Sequence, residues 1–175
     1  KEKAVQYADM IPPAMDLRLH VLEGDELVEH CQNYIWKFCD RMYLYMKYLI
    51  DCKEAGYTNE EKHSMWNILY DMIHMIFSDK DFGFWHDRLG RISFFMALES
   101  GKQKLFDRAM QELEQVIMHF EGYQSFNAIS HTSLLVNKDK VDLSNIAKST
   151  DETLGHTYLR YLNNNEAVFA SIKDT

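Results

Sequence analysis

Residues 25–54 read DELVEHCQNYIWKFCDRMYLYMKYLIDCKE, and this stretch decides the fold class. Its apolar residues alternate between spacings of three and four, at Val28, Cys31, Ile35, Phe38, Met42, Tyr45, Leu49 and Cys52. These spacings bring side chains to one face of an α-helix, so the sequence predicts a helix of about 45 Å with a buried face. Further apolar residues, at Leu27, Tyr34, Trp36 and Tyr48, predict a buried face wider than a two-helix seam.

The rest of the chain carries similar helical patterns, separated by short turns. Thr58-Asn59-Glu60-Glu61 has the form of a capping box, which predicts the start of a helix that reaches about Phe77. Pro12-Pro13 ends a first helix, Ser100-Gly101 joins two later ones, and Gly122 ends the second of these. The predicted helices cover about residues 1–10, 14–22, 25–54, 58–77, 84–99, 103–120 and 152–162, with a short helical turn at 168–172.

The predicted organisation is an all-α domain of antiparallel helical hairpins over residues 1–122, followed by an irregular segment. Residues 123–150 are rich in Ser, Asn, Asp and Lys around the apolar Leu134-Leu135-Val136. Such a stretch predicts a long, partly packed connection that wraps a surface. We therefore expect residues 123–175 to form an irregular wrap and a terminal helix that pack on the same domain.

The composition limits the classes of function. A chain of 175 residues fits one domain or two small ones, and seven Gly and two Pro favour long helices. A net charge of −8 argues against a nucleic-acid surface on these residues, because binding phosphates requires a basic face. Three cysteines without a Cys-x-x-Cys pair fit reduced thiols, and no apolar run reaches 18 residues. We expect a cytoplasmic protein that does not enter a membrane.

No motif predicts catalysis, a cofactor or a metal. A di-iron bundle needs Glu-x-x-His pairs on facing helices. His20, His30, His86 and His119 do not follow a Glu by three positions, and Glu60-x-x-His63 by itself does not supply such a pair. Gly101-Lys102 lacks the glycine-rich loop of a phosphate-binding site. His86-Asp87 leaves open a metal-dependent hydrolase, but a two-residue match is weak. We therefore predict no catalytic residue, no cofactor and no metal ligand.

The aromatic stretch Phe82-Gly83-Phe84-Trp85-His86 is the most specific local feature. Aromatic side chains supply contact area in concave sites, so Phe82, Phe84, Trp85 and His86 form the candidate ligand or partner surface. The alternative is that these residues anchor the start of a helix in the core, which is the more common role. The inner face of the helix over residues 25–55 is a second place to look for a pocket.

The order of segments along the chain resembles a known family. The two helices around Gly101 resemble a tetratricopeptide hairpin, with small and apolar residues of that repeat at Met96-Ala97, Ala109, Leu113 and Val116. More widely, the succession is similar to the C-terminal half of a group of Firmicutes transcriptional regulators with an Xre-type (λ-repressor-like) helix-turn-helix. The most specific matches are Asp81-Phe82-Gly83-Phe84-Trp85-His86 and Ser133-Leu134-Leu135-Val136-Asn137. Leu105 and Phe106 depart from the pattern, since small or charged residues are usual there.

This resemblance implies a tetratricopeptide-like α-α superhelix with a regulatory role. It implies a peptide or small-molecule effector, a homodimer, and DNA contact only through an N-terminal domain outside these residues. It also implies that Lys1-Glu2-Lys3-Ala4 belongs to the second helix of a repeat whose first helix lies upstream. Two alternatives remain, a free-standing helical metal-dependent hydrolase or other small-molecule enzyme, and a structural scaffold that self-associates.

Overall fold

The computed structural model describes residues 16–125, 131–138 and 154–170, and these residues are helical and irregular with no strand. The prediction of an all-α fold is therefore confirmed. The helices are α1 (Gly24–Asp51), α2 (Asn59–Ile76), α3 (Trp85–Lys102), α4 (Phe106–Ser125), α5 (Leu154–Asn164) and α6 (Glu166–Phe169), with 3-10 turns at Leu17–His20 and Lys53–Ala55. None of the helices described in these ranges combines the length and apolar composition that a membrane crossing needs. The predicted helix at residues 1–10 lies outside the described residues.

Local chemistry explains where α2 begins. The Thr58 hydroxyl accepts a hydrogen bond from the Glu61 backbone N–H at 3.2 Å, and the Glu61 carboxylate accepts one from the Thr58 backbone N–H at 2.8 Å. These two bonds satisfy backbone donors that have no partner inside the helix. The predicted capping box is confirmed.

Two glycines predicted to interrupt helices instead lie inside them. α3 continues through Gly101 to Lys102, and α4 continues through Gly122 to Ser125. Both glycines are sites of close approach, since a Cβ atom at Gly101 would lie 2.8 Å from Cγ1 of Val168. The turn after α3 is made by Lys104, whose φ of 62° is left-handed. These glycines therefore provide space for neighbouring side chains and do not end the helices.

The helices that precede and follow the main hairpins differ modestly from prediction. The described part of the predicted helix at 14–22 is a 3-10 turn, whose first N–H groups are capped by Asp16. The terminal helix predicted at 152–162 is observed as α5, and α6 begins earlier than the predicted turn at 168–172.

The central helix of the fold is α3, which runs antiparallel to α2 on one side and to α4 on the other. Trp66 of α2 stacks on Phe95 of α3 with ring centroids 4.9 Å apart, and Phe77 lies 5.8 Å from Trp85. One apolar core lies between α1, α2 and α3, and a second joins α3 and α4 to α5 and α6. The predicted inner faces of α2 and α4 are largely confirmed, with Leu69, Ile73, Ala109 and Val116 buried.

The predicted buried stripe of α1 is only partly buried: Ile35 and Met42 pack against the core, whereas four of its eight residues are exposed. The side chains that α1 buries are Gln32, Cys39, Tyr43 and Ile50. Several residues of the predicted stripe are instead exposed, together with two tyrosines beside them. We call this exposed set the outer stripe, and it comprises Val28 (42% exposed), Tyr34 (39%), Phe38 (51%), Tyr45 (68%), Tyr48 (67%) and Leu49 (43%). The apolar arc of α1 is wider than the contact it makes, so α2 and α3 cover only one edge.

Residues 131–138 form a clasp that fastens the loop before α3 to α1. The Asp81 carboxylate accepts hydrogen bonds from the backbone N–H and the hydroxyl of Ser133. Gln32 of α1 donates from its side-chain amide to the carbonyl of Leu134 at 3.0 Å. Val136 is fully buried while Leu134 is exposed, so residues 131–138 are partly packed. Residues 126–130 and 139–150 of the predicted connection lie outside the described residues.

Candidate functional site

The structure divides the four predicted surface residues into two pairs. Phe82 and Trp85 are buried in the core, where Trp85 contacts the rings of Trp36 and Phe77. Phe84 and His86 are half-buried and keep part of their surface accessible. The stretch therefore anchors the start of α3, as the alternative interpretation holds, and leaves Phe84 and His86 as the accessible part of the candidate surface.

Phe84 is held against a cation and an aromatic ring. The guanidinium carbon of Arg88 lies 5.4 Å from the centroid of the Phe84 ring and 5.0 Å from that of Tyr43. Tyr123, near the end of α4, lies 6.4 Å from Phe84 in an edge-on arrangement. Cation–π and edge-to-face contacts orient an aromatic side chain without burying it fully. Phe84 is thus a positioned, partly open aromatic surface.

His86 leads into a group of side chains from α2, α3, α4 and the loop before α3. We call this group the histidine–aromatic cluster, and it comprises Tyr70, His74, Phe82, His86 and His119. The Phe82 ring contacts all three imidazoles, with centroid distances of 4.6 Å to His74, 5.3 Å to His86 and 5.9 Å to His119. His119 thus meets His74 and His86, which are 45 and 33 positions away in the sequence, around one phenyl ring.

Three of these side chains form a chain of hydrogen bonds that joins three helices. Nδ1 of His86 lies 3.0 Å from Nδ1 of His119, and Nε2 of His119 lies 3.0 Å from the Tyr70 hydroxyl. A bond between two ring nitrogens needs one donor and one acceptor, so the tautomers of His86 and His119 are coupled. If His119 accepts from His86, its Nε2–H donates to Tyr70. If His119 donates to His86, it accepts from the Tyr70 hydroxyl.

Burial keeps this cluster uncharged near neutral pH. Burial lowers the pKa of His119 to about 3, with smaller contributions from His86 and His74. Burial also lowers the pKa values of His86 and His74, and it raises that of Tyr70. A neutral imidazole offers one donor and one acceptor. The cluster can therefore hydrogen-bond a polar group at its His86 end, but it is not a fixed charge.

The candidate metal pair His86-Asp87 does not converge. His86 is directed at His119, whereas the Asp87 carboxylate accepts two bonds from Arg91 Nε at 3.0 and 3.1 Å and one from Arg88 at 3.1 Å. Arg91 also donates to the Tyr161 hydroxyl at 3.2 Å, so Asp87 helps to tie α3 to α5. Within the described ranges, no group of three or more His, Cys, Asp or Glu is placed to hold a metal ion.

A second buried polar group lies at the opposite ends of the same helices. The Glu112 carboxylate lies 2.5 Å from Nε2 of His63, accepts from the Ser100 hydroxyl at 2.7 Å and accepts from Arg108 at 3.3 Å. In a catalytic triad the histidine lies between the nucleophile and the acid, but here the carboxylate lies between Ser100 and His63. Ser100 is also fully buried. This arrangement is an interhelical clamp between α2, α3 and α4.

Sequence reasoning missed Tyr70, His74 and His119 as members of a site. Tyr70 and His74 are four positions apart on α2, which places them on one helix face. No sequence signal shows that this face meets His119, because that contact depends on how α2 and α4 are rotated about their axes.

Comparison with known proteins finds no match to this chain among protein families, curated proteins or solved structures.

Proposed function

We propose that this chain is the regulatory domain of a transcriptional regulator, and that DNA is contacted by a helix-turn-helix domain outside these residues. The resemblance of the segment order to Xre-type regulators supports this, as does the net charge of −8, which disfavours phosphate binding by these residues. Consecutive packing of antiparallel helices is also what a tetratricopeptide-like regulatory region requires. The cytoplasm is the expected location of such a regulator.

One observation carries the proposal. The half-buried His86 is one end of a hydrogen-bonded chain that continues to His119 and Tyr70 and so joins α3, α4 and α2, and the half-buried Phe84 lies two positions before His86 in the sequence. A ligand with an apolar group for Phe84 and a polar group for His86 would act on all three helices. The effector class is a peptide or small molecule of that mixed character.

A ligand regulates by binding one helix arrangement better than another. A bond from the ligand to His86 would fix its tautomer, and the coupling described above would fix the tautomer of His119 and the direction of its hydrogen bond with the Tyr70 hydroxyl. The packing of α3 against α4 then shifts toward the arrangement that matches, and an attached domain is reoriented.

Thermal unfolding with a library of short peptides and small aromatic carbonyl compounds tests the effector site. We expect a ligand that raises the Tm of the wild type by about 5 °C or more at one hundred times its Kd. The same ligand should raise the Tm of Ile117→Ala, a control on the exposed face of α4, but not that of Phe84→Ala. Equal stabilisation of all three proteins, or stabilisation of none, would contradict the proposed site.

A separate measurement tests the assignment to a regulator. The gene should encode a helix-turn-helix in frame before the codon for Lys1, and these 175 residues alone should not bind duplex DNA at physiological salt. A start codon a few positions before Lys1, or strong DNA binding by these residues, would overturn the assignment.

A further inference from the structure

The three central helices carry inward-facing polar side chains at intervals of seven residues. Seven residues make about two turns of an α-helix, so the side chains of each helix lie on one face. Two of them are half-buried, the Tyr70 and His86 side chains, and the others are buried. We call this line the polar seam, and it comprises His63 and Tyr70 on α2, His86, Ser93 and Ser100 on α3, and Glu112 and His119 on α4. Its two ends are the histidine–aromatic cluster and the interhelical clamp.

Two buried oxygen atoms lie between the ends of the polar seam. One belongs to Ser93, midway along α3 and fully buried, and the other to Gln115, between Glu112 and His119 on α4. The Ser93 hydroxyl lies close to Tyr70 and opposes the rise that burial causes in the pKa of Tyr70. Even so, Ser93 Oγ and Gln115 Oε1 have no hydrogen-bond partner of ordinary distance and angle within the described residues. Buried polar atoms rarely stay unpaired, because burial removes their bonds to water.

We propose that buried water joins Ser93 to Gln115 and completes the polar seam as one hydrogen-bonded line from His86 to the interhelical clamp. Buried water molecules typically make about three hydrogen bonds to groups that lack a protein partner. A water molecule can donate to Gln115 Oε1 and either donate to the Ser93 hydroxyl or accept from it. In such a line, a hydroxyl or neutral ring that donates to one neighbour accepts from the other, so a direction set at one end is passed along.

The line couples groups that are far apart. His86 and Ser100 are 14 positions apart on α3, which is about 21 Å along the helix axis. Groups at such a distance normally contribute independently to stability. With the line in place, the state of His86 alters how strongly Glu112 holds Ser100 and His63. The inference rests on the proposed function only for the source of the signal, an effector at His86, and it adds how that signal reaches the opposite end of the helices.

A double-mutant cycle in the whole chain without any ligand tests the coupling. Independent changes multiply in their effects on the unfolding equilibrium constant. His86→Ala and Glu112→Gln should depart from this product by about fivefold or more. In a Ser93→Ala background the departure should fall below about twofold, because the line is cut. The matched control pairs His86→Ala with Ile117→Ala on the exposed face of α4, and these two effects should multiply. Independence of His86→Ala and Glu112→Gln, or a departure that Ser93→Ala leaves unchanged, would overturn the inference.

A second measurement needs no change at Glu112 and so applies even if Glu112→Gln does not fold. The imidazole ¹⁵N chemical shifts of His63 report its tautomer and hydrogen bonds. They should differ between the wild type and His86→Ala, and this difference should vanish when both proteins also carry Ser93→Ala. Shifts of His63 that do not respond to His86→Ala would overturn the coupling.

A crystal structure of the wild type tests the water directly. Ordered water should lie within about 3.2 Å of Ser93 Oγ and of Gln115 Oε1. Dry packing around both oxygen atoms would overturn the proposal. Because these experiments use no effector, their failure is separate from a failure to find a ligand that stabilises the wild type.

Discussion

Gly122 lies in the last turns of α4, and its hydrogen atom faces the imidazole of His86. The three heavy atoms nearest to an ideal Cβ at this position all belong to that ring. Outside this contact, alanine would be the better residue, because glycine costs about 1 kcal/mol in a helix interior. At the residue scale, glycine at position 122 therefore lowers the stability of α4 but leaves the space in which the His86 ring contacts His119.

Gly122→Ala should destabilise the protein despite the higher helix propensity of alanine. Overpacking against the His86 ring costs about 1–3 kcal/mol, which exceeds the gain. In a His86→Ala background the same change should stabilise by about 1 kcal/mol, because the obstructing ring is gone. Urea unfolding of the four proteins measures both effects. The same sign in both backgrounds would show that the ring contact does not determine the effect.

At the element scale, helices α2, α3 and α4 are joined near both ends by buried polar contacts. Glu112 bonds His63 and Ser100 at one end, and His119 bonds His86 and Tyr70 at the other. Buried polar groups hold a specific geometry because a shifted helix leaves them unpaired. These contacts therefore fix the register between the three helices. Apolar faces alone are less specific, because apolar packing is not directional.

Glu112→Gln should be costly although it preserves the shape of the side chain. The neutral amide cannot form an ion pair with Arg108, and it leaves buried polar atoms imperfectly paired. We therefore expect the free energy of unfolding to fall by about 2–3 kcal/mol. Glu114→Gln is the matched control, since Glu114 is exposed on the same helix. It should change the free energy of unfolding by less than about 0.5 kcal/mol. Equal effects of the two changes on the free energy of unfolding would mean that the interhelical clamp does not stabilise the fold.

At the scale of the whole molecule, the buried histidines couple stability to pH. The folded-state pKa of His119 is about 3, below its ordinary value of 6.5, so the unfolded chain binds more protons as pH falls below 6.5. Stability is therefore full above pH 6.5 and declines from there toward pH 3. His86 and His74 act in the same direction. Carboxylates with lowered pKa values, such as Asp16 and Asp81, contribute only at lower pH.

The free energy of unfolding should fall by about 2 kcal/mol between pH 7 and pH 5 through His119 alone. Chemical denaturation at a series of pH values measures this slope. His119→Gln retains hydrogen-bonding capacity without the titration, so its slope over that range should be clearly smaller. If the wild type is equally stable at pH 7 and pH 5, the lowered pKa of His119 is contradicted.

The sequence by itself determined the all-α class, the positions of the main helices and the capping box at Thr58. These features depend on local periodicity and on contacts between residues a few positions apart. The sequence also singled out residues 82–86, but not that Phe82 and Trp85 are buried while Phe84 and His86 stay accessible. It could not reveal that Gly101 and Gly122 lie inside helices, because the side chains that approach them are distant in sequence.

Only the tertiary structure decided which edge of α1 faces the core and which histidines meet. Both edges of α1 are apolar, so periodicity could not choose between them, and burial followed from where α2 and α3 pack. His74, His86 and His119 come from three helices, and their meeting depends on the rotation and register of each. Those quantities are set by the sum of many side-chain contacts across the core, which no local pattern contains.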